Sequence, residues 1–178
     1  MELHIKFHSN GIKPFNKLSN FANIEGGIEL DGLIYPSSEH MYQSQKFVDK
    51  KRFSVEGDLG IWSGFGLVSD KTMDYWKKKD NIGIIAKMAT SKKMILKLGL
   101  IKIDGFQYTD ELWNTILTKK YEVKEFEEIL KKTEGLYLLE FDRNAVKRGS
   151  FWGGNSVDNV LYGENTMGKY LMKVRDNL

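Results

Sequence analysis

With 178 residues, the chain is long enough for one domain with a substantial core and short for two. Hydrophobic residues at 41 % and aromatics at 12 % place it among globular proteins, and the absence of cysteine removes disulfides, thiolate nucleophiles and Cys-based zinc sites. A formal charge of +3 permits a phosphate-bearing partner without demanding one, because non-specific nucleic-acid binders carry a much denser Lys/Arg patch.

Residues 3 to 7 alternate apolar and polar, as a half-buried strand does, and Gly11 with Pro14 breaks the pattern. A strand would separate His4 from His8 by about 13 Å, so no metal site is expected from the three histidines. Met1 to Lys6 carry charge where a signal peptide needs apolar residues, and no apolar run reaches the length of a membrane span. The chain is expected in the cytoplasm, away from the membrane. Phe15 to Phe21, rich in Asn and Ser, reads as a loop. Ile28 to Tyr35 holds two short β-prone runs around Asp31-Gly32, a pair suited to a two-residue hairpin turn.

The hairpin delivers the chain to Pro36-Ser37-Ser38-Glu39-His40-Met41-Tyr42-Gln43-Ser44-Gln45-Lys46-Phe47, which reads as the opening of a helix capped by Ser37 or Ser38. Glu39 lies near the positive end of its dipole. At about 100° per residue, Glu39, Gln43 and Lys46 share one stripe, Met41 and Val48 lie nearly opposite, and Tyr42 and Phe47 flank the polar stripe. An acid, an amide and an amine are thus expected to project together between two rings. The bland alternative, a solvated polar face with Met41 and Val48 turned to the core, fits the same periodicity.

From Arg52 to Gly66, glycines at 57, 60, 64 and 66 sit among Trp62 and Phe65, the pattern of a loop held by aromatic anchors; no Gly-Lys-Ser/Thr follows to make a phosphate loop. Helical material is predicted from Ser69 towards Leu98 with a break at Asp80 to Gly83. Its lysines 77, 78, 79, 92, 93 and 97 read as a solvated face. Two amphipathic helices follow between Asp110 and Thr133, Gly135 suits the position past a helix end, and Leu136 to Phe141 reads as a buried strand. Residues 142 to 164 form a polar, glycine-bearing loop containing Phe151-Trp152, and Asn165 is placed to cap a last helix through Met167, Leu171, Val174 and Leu178.

The twelve residues from Pro36 to Phe47, with Ser19-Asn20-Phe21 before them, resemble the signature of the YbiA-like, or NADAR, superfamily. Trp152-Gly153, Asn165-Thr166-Met167-Gly168 and Leu171-Met172-Lys173-Val174-Arg175 resemble its C-terminal pattern. The similarity is good over 18 to 47, moderate over 120 to 178 and thin between. The family's Gly-Arg pair is missing from the middle, and Gly149 stands where many members place an acid three residues before the Trp-Gly tryptophan. Asp142 or Asp158 is left to supply that acid, or the chemistry runs without it.

The resemblance implies an α+β fold: a mostly helical single domain, residues 1 to 178, around a small antiparallel sheet made from the N-terminal strand, the hairpin and the strand near Leu138. It implies an N-glycosidase without cofactor or metal. Cleaving a ribose C1–N bond develops positive charge on the sugar, so a carboxylate, a water and a proton source are needed. Glu39 is the expected carboxylate. Lys46 serves as proton donor or as an amine attacking a ring-opened sugar, and Trp152 stacks on a base. Asn20, Phe21, Gln43, Gly153 and Asn165 are expected to bind substrate, with Arg143 and Arg148, helped by Lys147, on its pyrophosphate. The expected partner is an ADP-ribose-bearing nucleic acid, with hydrolysis freeing guanine from a toxin's modification. A small phosphoribosylamino intermediate of riboflavin synthesis is the second substrate class, and a non-catalytic ADP-ribose or nucleotide-binding module the third reading.

Overall fold

The computed structural model describes residues 4–62 and 68–178. Leu3, at the head of the expected first strand, and Gly64, Phe65 and Gly66 of the expected aromatic loop lie outside these residues. The order of elements is β1 (His4–Phe7), β2 (Ile28–Leu30), β3 (Leu33–Tyr35), α1 (Ser38–Ser44), α2 (Asp70–Lys78), α3 (Gly83–Ala89), α4 (Lys92–Leu98), α5 (Asp110–Tyr121), α6 (Lys124–Lys131), β4 (Tyr137–Glu140), α7 (Ala145–Arg148), β5 (Asn155–Val157), β6 (Val160–Tyr162) and α8 (Thr166–Arg175), with 3-10 turns at Phe15–Leu18 and Lys50–Phe53. The fold is α+β. Its backbone groups into two compact units, residues 20–120 and the two chain ends, 1–19 with 121–178. Among the described residues no helix is long and apolar enough to cross a membrane.

In the unit of residues 20–120, β2 and β3 form the expected hairpin, with Asp31 and Gly32 both at positive φ in its turn. Ile24 donates its amide to Pro36 O, and Val55 to Ile34 O, so hairpin and following loop are laced together. The loop after α1 is fastened by Arg52, whose guanidinium takes both oxygens of Asp58 at 3.0 and 2.8 Å and donates to Leu98 O at 2.6 Å, at the end of α4. Gly60 lies where a Cβ would fall 1.8 Å from Ser54 O, an approach open only to glycine. The expected helical stretch from 69 to 98 is three helices. Ser69 caps the first through Thr72 N, a second break falls at Thr90-Ser91, and Gly99 closes α4 in the left-handed region. Met73 of α2 packs with Ile82 and Ile85, and Trp62 and Trp76 lie against that cluster.

In the other unit, β1 pairs with β4 in parallel, His4 opposite Tyr137 and Phe7 opposite Glu140. The strands expected to share one antiparallel sheet thus form separate pairs, β1–β4 parallel and β2–β3 antiparallel, and a third pair, β5–β6, arises inside the segment read as a polar loop. Asp158 and Asn159, both at positive φ, make its turn. Helix α8 lies on β4. Gly168 makes that possible, since a Cβ there would come 2.2 Å from Leu138 O, and the Met172 sulfur accepts from Leu138 N. Arg175 donates to Thr133 O at 2.6 Å and Leu136 O at 2.8 Å, fastening α8 to the turn between α6 and β4.

Candidate functional site

Helix α1 is seven residues long and every one of them is buried, including Ser38, Glu39, His40, Gln43 and Ser44. Ser37 is the cap: its Oγ accepts from His40 N at 3.2 Å. The same hydroxyl lies 2.8 Å from His40 Nδ1, and His40 Nε2 lies 2.8 Å from Leu59 O, an acceptor only, so Nε2 carries the proton and Ser37 donates to Nδ1. Burial lowers the His40 pKa to about 4 and keeps the ring neutral, its bond to Leu59 opposing the shift. His40 is therefore the strut between α1 and the loop that Arg52 clamps. Nothing in the residue pattern distinguishes it from a surface histidine.

Glu39 is 6 % exposed. One of its oxygens accepts from Gln43 Nε2 at 2.7 Å, and Lys87 of α3 places its ammonium 3.8 Å from that same oxygen. The Glu39 amide donates to Asn20 O, and Gly83 N, at the start of α3, donates to Phe21 O. Gly83 permits this: a Cβ would sit 2.6 Å from Phe21 Cα. The Asn20-Phe21 turn thus seats the beginnings of α1 and α3 together. Within this cluster, Gln43 Oε1 and Asn20 Oδ1 are buried without a hydrogen-bond partner.

Tyr42 stacks on the buried Trp113 at 4.6 Å between centroids and meets the edge of Phe106 at 6.4 Å. Stacking of this kind is worth about 0.5–1.5 kcal/mol beyond area burial. On the Tyr42 ring lies the Lys46 ammonium, 4.1 Å from its centroid. Burial lowers the Lys46 pKa from 10.5 to about 8; Glu39 opposes the shift, and Lys87 and Lys102 add to it. Burial likewise raises the Tyr42 phenol, helped by Glu39.

Lys46 reaches this position by a route the helical stripe did not contain. Helix α1 stops at Ser44 and the next three amides bond back three residues, to Tyr42 O, Gln43 O and Ser44 O, tightening the chain into a turn. Val48, expected opposite the polar stripe and in the core on the bland alternative, is 64 % exposed for that reason, while Phe47 is buried against Phe53. The residues after the turn pair with 101–103, Val48 N donating to Ile101 O and Ile103 N to Lys46 O. Glu39, Gln43, Asn20, Phe21 and Lys46 accordingly come together in one unit. Lys87 was missed. Its signal is a lone cation in an otherwise apolar helix, Gly83 to Ala89.

Trp152, Gly153, Asn165, Arg143 and Arg148 belong to the other unit. Asn165 caps no amide of α8. Its side chain accepts from Glu140 N at 3.0 Å and donates to Leu138 O at 2.8 Å and Tyr137 Oη at 3.1 Å, which ties α8 to β4. Its backbone is left-handed, φ 52°. Gly153 is buried where a Cβ would meet Glu140 O at 2.5 Å, and its carbonyl accepts from Asn165 N. These two residues hold the end of β4. Trp152 is half-buried and meets Phe151 edge-on at 4.9 Å. Arg143 and Arg148 are exposed, and Arg148, Gly149, Ser150, Phe151, Gly163 and Glu164 line a hollow of about 480 Å³. Asp142 accepts from Asn144 N, and Asp158 lies in the β5–β6 turn. Among the described residues no cluster of three or more His, Asp or Glu side chains is placed to hold a metal ion.

No family model and no curated protein matches the sequence. Among solved structures, the chain is similar to the NMR structure of the Escherichia coli protein YbiA, with a TM-score of 0.57 and 20 % identity, over 99 % of this chain and 86 % of that one. The fold is YbiA-like.

Proposed function

We propose that the protein is an N-glycosidase that hydrolyses the ribose C1–N bond of ADP-ribosylated nucleobases, releasing ADP-ribose from nucleic acid. The observation that carries this reading is a carboxylate, Glu39, 6 % exposed, held by Gln43 beside two amines, one of which, Lys46, has its pKa lowered to about 8. Glycosidic cleavage calls for that pairing. As the C1–N bond breaks, its electron pair leaves on nitrogen and the sugar becomes cationic; water then bonds C1 and loses a proton. Glu39 stabilises the cation and takes the proton from water. Lys46 delivers a proton to the departing nitrogen, or, on a ring-opened sugar, its neutral amine adds to C1, the base nitrogen leaves with the C1–N electron pair and a proton from the amine, and water hydrolyses the resulting imine to free amine and sugar aldehyde. The unpaired carbonyl oxygens of Asn20 and Gln43 are acceptors suited to ribose hydroxyls. The proposed catalytic set is drawn from residues 20–120.

A phosphoribosylamino metabolite would undergo the same bond cleavage, and a nucleotide-binding module would use the same acceptors without turnover. Incubation with oligonucleotides carrying ADP-ribose on guanine or on thymine, with a free phosphoribosylamino riboflavin intermediate alongside, separates the three. Release of ADP-ribose from the modified strand supports the proposal. Turnover of the free intermediate alone, or of neither substrate, overturns it.

A further inference from the structure

Between residues 71 and 102 the chain carries nine lysines against two aspartates and no glutamate. Those on α2 face outward because Met73 and Trp76 turn inward onto Ile82 and Ile85. Lys71, Asp74, Tyr75, Lys77 and Lys78 line a shallow hollow of about 430 Å³, and Tyr75 is 47 % exposed between Lys71 and Lys78. Lys87, Lys92, Lys93, Lys97 and Lys102 are exposed as well.

A merely solvated helical face neutralises itself with acids three or four residues away. Helix α6 does so here, with Lys124 facing Glu128 and Lys131 facing Glu127. On α2, Asp70 and Asp74 lie among Lys71, Lys77 and Lys78, while α3 and α4 carry no acid at all. Among the described residues Lys87 alone of the nine has a carboxylate within 4 Å, and that carboxylate is Glu39. Nine lysines against Asp70, Asp74, Asp80 and Asp104 leave residues 70–104 with a formal excess of five positive charges, and one of these lysines, Lys87, stands at the candidate site.

We propose that the outer face of α2, continued over α3 and α4, is a track for the sugar–phosphate backbone of a single-stranded nucleic acid, with Tyr75 as a stacking platform. Cations interleaved with an accessible ring are the usual recognition set for single strands. Lys71 and Lys78 are about 10 Å apart along the helix axis, so the two cations can meet separate phosphates of one extended strand. The inference deepens the proposed glycosidase reading by naming the surface that presents the strand, and rests on it for the strand's purpose.

Fluorescence anisotropy with an unmodified labelled oligonucleotide of about 12 nucleotides tests the track without any turnover, in salt from about 50 to about 200 mM. Wild type is expected to bind with an affinity that falls as salt rises. K71Q/K78Q is expected to bind at least about tenfold more weakly at about 50 mM salt, with a log–log salt slope shallower by about 1.4. Y75A is expected to lose about tenfold. K169Q/K173Q, the same charge change on the exposed face of α8, is expected to bind as wild type, and thermal melts verify that all variants fold. The track is overturned if wild type fails to bind, if K71Q/K78Q binds and responds to salt as wild type does, or if polyglutamate competes as well as the oligonucleotide. Absence of ADP-ribose release from a protein with an intact salt-dependent track would instead overturn the glycosidase reading and leave the surface standing.

Discussion

Glu39→Gln isolates charge from shape. In the folded protein the Glu39 oxygen accepts from Gln43 Nε2 at 2.7 Å, and a glutamine carbonyl can accept there in the same geometry. The Lys87 pair, at 3.8 Å, involves a lysine side chain that is 60 % exposed and is worth less than about 1 kcal/mol. Relief from burying a carboxylate offsets that loss, so stability should change by no more than about 1 kcal/mol in either direction. The rate should change far more. A sugar cation about 4 Å from a carboxylate, at an effective dielectric constant of about 20, gains about 4 kcal/mol. If the amide dipole retains a third of that, the barrier rises by about 2.7 kcal/mol, a hundredfold loss. The assay is single-turnover release of ADP-ribose from a modified guanine oligonucleotide, with thermal unfolding on the same preparation. A folded variant that turns over at the wild-type rate refutes the role given to Glu39.

The remaining predictions concern protons and packing. With the Lys46 pKa near 8, kcat/KM should carry a limb centred there, rising with pH if the amine attacks and falling if the ammonium donates; Lys46→Met should remove it, and a wild-type profile without a limb near pH 8 would contradict either role. His40 has its folded pKa depressed from 6.5 to about 4, so its contribution to stability is complete above pH 6.5 and is lost as pH falls towards 4, by about 3 kcal/mol in all. Urea midpoints measured across that window should fall for the wild type and much less for His40→Asn; parallel curves would rule the mechanism out. Asn165→Ala should cost about 2–4 kcal/mol by orphaning Glu140 N and Leu138 O, with KM of the folded protein unchanged. A normal melt with a raised KM would return Asn165 to the substrate.

Local chemistry was legible in the sequence wherever the next few residues decide the backbone. The Asp31-Gly32 turn and the serine cap of α1, found at Ser37, are of this kind, one fixed by positive φ and the other by an unpaired amide nearby. Pairing was not legible. Parallel joining of β1 to β4 brings together residues more than a hundred positions apart, and no short-range pattern encodes it. The helical stripe drawn through Lys46 does not exist as such, since the chain turns after Ser44 and returns Lys46 over the Tyr42 ring. The Asn165-x-x-Gly168 and Arg175 signatures were visible as strings, and in the structure they pack: an amide bracket on β4, a helix laid against Leu138 O and an anchored α6–β4 turn.

Burial rules out a solvated polar face for α1. A helix hidden on all sides is normally apolar on all sides, because each polar atom taken from water must find a partner. Five of the seven residues of α1 are polar, and all are buried. Their partners account for most of that cost: Ser37 and Leu59 for His40, Met41 O for Ser44, Gln43 and Lys87 for Glu39. What stays unpaid is confined to a few oxygens, Gln43 Oε1 and Asn20 Oδ1 beside the carboxylate among them. Each such oxygen costs about 1–3 kcal/mol, and a leucine at position 43 would remove the deficit at that position. A solvated polar face would carry no such penalty. Places where local rules are broken at a cost to stability are where function is expected, and here the breach coincides with the one acid, the low-pKa amine and the ring that holds it.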